Sequence, residues 1–251
     1  MDVLIVGAGE MGRWFGDAIA TESSVAFTDV DAAAAEVAAE AVDGRAVSLE
    51  TDERFEAVCL AVPMTAVEAA IEAHAHKSRT ATLDVSGVME PALEAMAAHA
   101  PDRERVSLHP LFAPERAPGS IAVVRDEPGP VSANILETLR ERGNEMIETT
   151  ATEHDEAMES VQAAAHTAVL SFALAAETVP EGFETPIYEG LRELAEQVTD
   201  GTPRVYADIQ GAFDGADDVA AAAARIAEAD PAEFESLYRD ARDRWHAGDR
   251  E

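Results

Sequence analysis

The chain has 251 residues, 47% of them hydrophobic, enough for a sizeable core in one large or two ordinary domains. Its 50 acidic residues against 18 basic leave a formal net charge of −32, which disfavours nucleic acid and anionic membranes as partners. Cys59 is the only cysteine, so no intrachain disulfide can form, and no apolar run approaches the length of a membrane span. With no signal peptide recognisable, a soluble, cytoplasmic protein is expected.

The acidic residues are spread along the whole chain, and Lys77 is the only lysine. Such a charge opposes a compact fold by self-repulsion. At ~1 M salt the Debye length falls to about 3 Å and the repulsion is screened. The composition reads as adapted to a salt-loaded cytoplasm, as in extreme halophiles.

Residues 2–6 form a short apolar run that reads as a buried parallel strand. Gly7-Ala8-Gly9-Glu10-Met11-Gly12 follows at once, and a helical pattern (Met11, Trp14, Phe15, Ala18, Ile19) begins inside it. Strand, glycine loop and helix in this order form the context that gives a GxGxxG motif its meaning. Gly7 allows a tight turn, Gly9 lets a pyrophosphate approach the backbone, and Gly12 lets the helix pack on the strand. The free first-turn amides around Glu10 and Met11 would donate to the phosphates. Residues 24–28 read as the second strand, with Asp29 at its end. A carboxylate there accepts hydrogen bonds from the ribose hydroxyls of NAD and repels the 2′-phosphate of NADP. Asp31 is a second candidate, better read as the cap of the next helix.

Further along, the pattern predicts a helix over 31–42, strands over 45–47 and 57–61, a helix over 65–76 and a strand over 80–83. It then predicts a helix over 90–99, a strand over 106–108, an edge strand over 121–124, a helix over 130–142 and a closing strand over 145–148. Beyond 150 only helices are predicted: a long one from a capping box at 152–155 to about Thr178, then 186–199, 203–213, 215–229 and 231–246. The expected fold is α/β: a doubly wound parallel sheet over 1–150, followed by an all-helical domain over 151–251.

Ligands of such sheets bind beyond the carboxyl ends of the strands. Val62-Pro63, Asp84 to Gly87 and His109-Pro110 all fall there. Val62 and Pro63 would flank a nicotinamide. His109 is the candidate base, since histidine changes charge nearest neutral pH. On the long helix a regular periodicity places Asp155, Gln162 and His166 on one face. His74, His76, His99 and His246 are expected at the surface, and no Cys/His spacing suggests a metal site.

With these residues in view, the chain resembles the prephenate dehydrogenase family of tyrosine biosynthesis. DVSGV (84–88) is similar to the family's Asp-x-x-Ser-x-Lys turn. LHPLFAP (108–114) resembles its Gly-x-His-Pro-Met-Phe-Gly-Pro segment, and HDEAMESVQAAAH (154–166) its His-Asp…Gln…His helix. TPRVYADIQ (202–210) is similar to a later family helix. The resemblance implies a Rossmann domain with a helical dimerisation domain, hence a homodimer. It also implies oxidative decarboxylation of prephenate to 4-hydroxyphenylpyruvate with NAD or NADP as acceptor and no metal. By motif, His109 takes the ring hydroxyl proton, Ser86 orients that hydroxyl, and His166 lines the pocket. Three departures stand out. Met89 replaces the family lysine, Ala113 replaces a glycine, and Gln197 falls where the family's substrate-binding arginine stands. Arg116 or Arg204 could supply the missing positive charge, and arogenate is the neighbouring substrate. An imine or hydroxy-acid reductase on the same plan, or a non-catalytic nucleotide sensor, are the other readings. The first is disfavoured by the absence of lysine after residue 150.

Overall fold

The structure, a computed structural model, describes residues 1–177, 179–180 and 182–247. It divides into two compact units, Met1–Ala157 and Met158–Glu251.

The first unit is built on one eight-stranded sheet. In chain order its elements are β1 (Asp2–Val6), α1 (Glu10–Ile19), β2 (Ser24–Thr28), α2 (Ala32–Ala41), β3 (Arg45–Ala46), β4 (Phe55–Leu60), α3 (Val67–His74) and β5 (Ser78–Asp84). They continue with α4 (Glu90–His99), β6 (Glu104–Pro110), β7 (Ser120–Glu127), α5 (Pro130–Glu141), β8 (Glu145–Glu148) and α6 (Ala151–Met158). The strand order is β3-β2-β1-β4-β5-β6-β7-β8. The chain builds outward from β1 to β3, then crosses back to lay β4 on the other side of β1. That reversal opens the crevice where doubly wound sheets bind ligands.

The central strands are apolar on both faces, as a sheet covered by helices requires. Val3, Leu4, Ile5, Val58, Cys59, Leu60 and Leu83 are fully buried, as are Phe15 of α1 and Phe27 of β2. Each buried Phe or Leu contributes about 1.5–3 kcal/mol. Burial holds the Cys59 thiol far above its ordinary pKa, as expected of an inert core cysteine.

Residues 121–124, expected as an edge strand, lie inside the sheet. β7 pairs antiparallel with β6 and parallel with β8, so β8 is the edge. The polar end of β7, Arg125 to Glu127, belongs to the ladder, and its length was hidden by its charge. Arg125 grips Glu148 of β8 with two guanidinium nitrogens at 2.7 and 3.0 Å. His74, expected at the surface, is half-buried with Nδ1 3.0 Å from Lys77 Nζ. Burial first, then Lys77 and His76, push its pKa down to about 4. Lys77 also donates to the Leu49 carbonyl, so the only lysine of the chain ties α3 to the loop before β4.

The long helix is interrupted. α6 passes through a π-helical segment, Glu159–Ala164, into α7 (Ala165–Ala175). Each i→i+5 turn takes up an extra residue and shifts the phase of everything after it. The helix cap sits two residues earlier than expected, and it is a simple N-cap: Thr150 Oγ1 accepts from the Glu153 amide at 3.2 Å, while the Glu153 carboxylate accepts from Thr149 Oγ1 at 3.1 Å. Thr178, near which the helix was expected to end, lies outside the described residues. Within its own chain α7 has no fully buried residue, and Leu174 is 88% exposed.

The second unit continues with α8 (Pro186–Thr199), α9 (Pro203–Ala212), α10 (Ala216–Glu228) and α11 (Pro231–Ala247). Gln210 of α9 donates to the Ala163 carbonyl and accepts from Thr167 Oγ1, both at 3.0 Å. It thereby ties the π segment to the first turn of α7. Among the described residues no helix is long and apolar enough to cross a membrane.

Candidate active site

Two groups of residues meet at the carboxyl ends of the strands in the first unit. The first is the glycine loop between β1 and α1. Gly7 has φ +107°, and its amide donates to the Thr28 carbonyl at 2.8 Å. A Cβ on Gly7 would lie 2.1 Å from the Ala61 oxygen, and one on Gly12 2.0 Å from the Gly7 oxygen. Above Gly9, by contrast, there is open space for 4 Å. No side chain caps α1, so its first-turn amides, Glu10 and Met11 among them, face that space uncapped. Bare backbone, free donors and a positive dipole end fit a dinucleotide pyrophosphate.

Asp29 sits at the end of β2. Its Oδ2 accepts from the Ala8 amide at 2.6 Å and its Oδ1 from the Asp31 amide at 2.9 Å. The carboxylate is thus locked to the glycine loop with lone pairs to spare. Asp31 caps α2 through the Ala33 and Ala34 amides, as its sequence position predicts. Arg13 folds back, its Nε donating to the Ala8 carbonyl at 2.8 Å. Val62 borders Gly7, and Pro63 starts the short 3-10 turn Met64–Ala66 at the end of β4.

The second group surrounds His109, the penultimate residue of β6 and only 6% exposed. Its Nδ1 lies 2.8 Å from Nε2 of His154 on α6. His154, 3% exposed, places Nδ1 2.7 Å from Asp155 Oδ1. Asp155 in turn accepts from the amides that open α4, the N-cap Met89 at 3.2 Å and Glu90 at 3.0 Å. It caps a helix from another part of the chain. Burial opposes its charge, but His154 and these two amides outweigh burial and hold its pKa below the usual carboxylate range. Burial, then His154, push His109 down to about 3, so the imidazole is neutral at physiological pH.

The turn after β5 closes the site. Gly87 has φ +94°, and a Cβ there would meet Met64 Cε at 2.9 Å and His109 Nε2 at 3.2 Å. Gly87 itself puts no side chain against that nitrogen. Ser86 donates from both its amide and its hydroxyl to Asp84 Oδ2. Asp84 is fully buried, which raises its pKa to about 6, although hydrogen bonding from Ser86 and Ser107 draws it back down. Ser107 faces it across the β5–β6 ladder, but Asp84 Oδ1 and Ser107 Oγ have no partner of good geometry among the described residues. Phe112, beyond His109-Pro110, packs edge-on to Trp14 of α1 at 5.2 Å, tying this loop to the nucleotide helix. Arg116 lies exposed on the next turn, Pro114–Arg116.

The remaining expected site residues belong to the helical unit. His166 stacks edge-on against Tyr206 at 4.8 Å, and burial lowers its pKa. Gln162 is half-buried within the π segment. Gln197 is exposed on α8. Arg204 is exposed and faces Asp208 one turn on at 3.8 Å. Asp155, expected to share a helical face with Gln162 and His166, turns to the start of α4, and the π segment Glu159–Ala164 interrupts the regular periodicity on which that expectation rested. His154 and Asp84 were not among the expected site residues. His154 stood in the His-Asp motif and could have been found there. Asp84 stood in the serine turn, but its burial is visible only in the fold. Among the described residues no cluster of His, Cys, Asp and Glu could hold a metal ion.

A family model for the nucleotide-binding domain of prephenate dehydrogenase matches residues 19–123. The 4-amino-4-deoxyprephenate dehydrogenase of Streptomyces pristinaespiralis is 33% identical over 233 residues, which cover 85% of this chain and 78% of that protein. The chain belongs to the prephenate dehydrogenase family. It is therefore an oxidoreductase of the dehydrogenase class, and its first unit carries the family's nucleotide-binding domain. Solved structures agree on the fold. The prephenate dehydrogenase of A. aeolicus, in complex with hydroxyphenyl propionate and NAD+, matches with a TM-score of 0.72 at 14% identity over 98% of both chains. The arogenate dehydrogenase of Synechocystis matches with a TM-score of 0.59 at 18% identity over 100% of this chain and 99% of that one. The family match opens within α1, so the glycine loop stands on its own geometry.

Proposed function

We propose that this chain oxidises a prephenate-type cyclohexadiene acid with NAD, removing hydride from the ring carbon that bears a hydroxyl or amino group and releasing the ring carboxylate as CO₂. The observation that carries the reading is His109: a buried, neutral imidazole at a strand end, with Gly87 facing Nε2 and a partnered Nδ1. Nε2 accepts the proton of the ring substituent, so that the electron pair of the neighbouring C–H bond can leave as hydride. NAD, when bound, supplies the nicotinamide that accepts it. Asp84 anchors the Ser86 turn beside His109, and the buried walls keep water from the imidazole. Loss of CO₂ leaves an aromatic ring, which makes the reaction effectively irreversible.

Asp29 supports NAD over NADP, because a like-charged 2′-phosphate beside a carboxylate costs several kcal/mol. The ratio of kcat/KM for NAD over NADP is expected to exceed about 10². In Asp29→Ser it should fall by about tenfold or more, with kcat for NAD little changed. Equal efficiency with both coenzymes in the wild type contradicts this.

A second reading takes the ring amine as substrate. The relative with 33% identity is a 4-amino-4-deoxyprephenate dehydrogenase. Here Met89 stands where the family lysine is expected, and Asp84 and Asp155 pair with no lysine or arginine among the described residues. A site with no lysine or arginine beside these two acids suits an amino group better than one with a fixed positive charge would.

A further inference from the structure

We propose that Asp155 and His154 form a proton relay behind His109, fixing its tautomer and taking up the charge when it accepts a proton. This rests on the reading of His109 as the proton acceptor. His154 does not touch substrate in this scheme; it is a positioning residue that acts through His109.

The argument is one of donors and acceptors. An ionised carboxylate can only accept. Asp155 accepts from the Met89 and Glu90 amides, and the N-terminal end of α4 favours its negative charge. Its 2.7 Å contact with His154 Nδ1 therefore has His154 donating. A neutral His154 then presents Nε2 as an acceptor. The 2.8 Å contact to His109 Nδ1 has His109 donating. Nε2 is then the basic nitrogen of His109, on the side that faces Gly87. Three groups on two elements, β6 and α6, thus impose one tautomer, as the buried aspartate does for histidine in a Ser-His-Asp triad.

The relay also resolves an energetic difficulty. A lone imidazole this buried holds a proton poorly, because nothing compensates its charge. Here, as the ring O–H or N–H proton moves to Nε2, the Nδ1 proton can cross to His154 Nε2. The positive charge then rests on His154, against the Asp155 carboxylate. The C–H electron pair leaves as hydride to the nicotinamide, and the C–CO₂ pair enters the ring. The ring oxygen or nitrogen then recovers its proton from Nε2, and the Nδ1 proton returns to His109. No proton is gained or lost overall. The titratable groups facing His154 are His109 on β6, Asp84 on β5 and Asp155 on α6.

The test is ¹⁵N NMR of the histidine-labelled full-length protein near neutral pH, paired with kinetics of two variants. In the wild type His109 should be neutral with Nδ1 protonated and Nε2 unprotonated. His154→Gln keeps an acceptor for His109 Nδ1 but cannot take a proton. It should retain this tautomer while kcat falls about 10²-fold and KM stays within about twofold. His154→Phe should lose the tautomer as well. An Nε2-protonated His109 in the wild type, or a His154→Gln enzyme with wild-type kcat, overturns the relay. The tautomer is read without substrate. A wild type that shows it but turns over no cyclohexadiene acid overturns the proposed function and leaves the hydrogen-bond chain standing.

Discussion

Replacing His109 by alanine is expected to lower kcat by about 10²–10⁴, the usual contribution of a positioned base. Dinucleotide binding should hardly change. His109 sits at the end of β6, whereas the glycine loop and Asp29 are held by contacts among β1, β2 and β4 that do not involve it. The substitution also removes the donor to His154 Nε2, leaving a buried acceptor exposed to a cavity, so some stability is lost. Titration calorimetry with NAD separates the two effects. Weakened NAD binding together with lost turnover would point to collapse of the unit instead. Near-normal kcat would remove His109 from the chemistry.

The largest effect on the nucleotide site is expected from Gly7→Ala. The new methyl would meet the Ala61 carbonyl oxygen at 2.1 Å and its carbon at 2.8 Å. That backbone cannot easily give way, because the Ala61 amide is bonded to the Val6 carbonyl at 2.8 Å. The position also has φ +107°, where an L side chain is strained. Left-handed strain costs about 1–2 kcal/mol and overpacking about 1–3 kcal/mol. A loss of roughly 2–5 kcal/mol is a large share of the ~5–15 kcal/mol that holds a domain folded. The melting temperature should drop by several degrees, and NAD affinity should fall as the α1 amides move. A variant with unchanged melting temperature and affinity would show that the loop tolerates what the geometry forbids.

Much of the nucleotide half was legible in the sequence because its signals are local. Glycines mark the turn after β1, Asp29 follows the end of β2, and Asp31 caps α2 directly before an alanine-rich run. The misread parts depend on distant partners. β7 looked short because Arg125 to Glu127 are charged, and only pairing with β6 makes them strand. The phase of the long helix turns on a π segment whose carbonyl at Ala163 is satisfied by Gln210. No periodicity within residues 151–175 encodes that. The same break hid the site: Asp155 was read as sharing a face with His166, whereas it caps α4 and orients His154. For this reason α6 packs with the first unit, which extends to Ala157.

The central claim is most directly tested by turnover of the wild-type chain in about molar KCl, where its acidic charge is screened. Prephenate, arogenate and 4-amino-4-deoxyprephenate would each be supplied with NAD, and reduced coenzyme and CO₂ followed together. The account predicts one CO₂ released per NADH formed, with prephenate or its 4-amino analogue as the best substrate. Reduction without CO₂ release, or no turnover of any of the three, would contradict it.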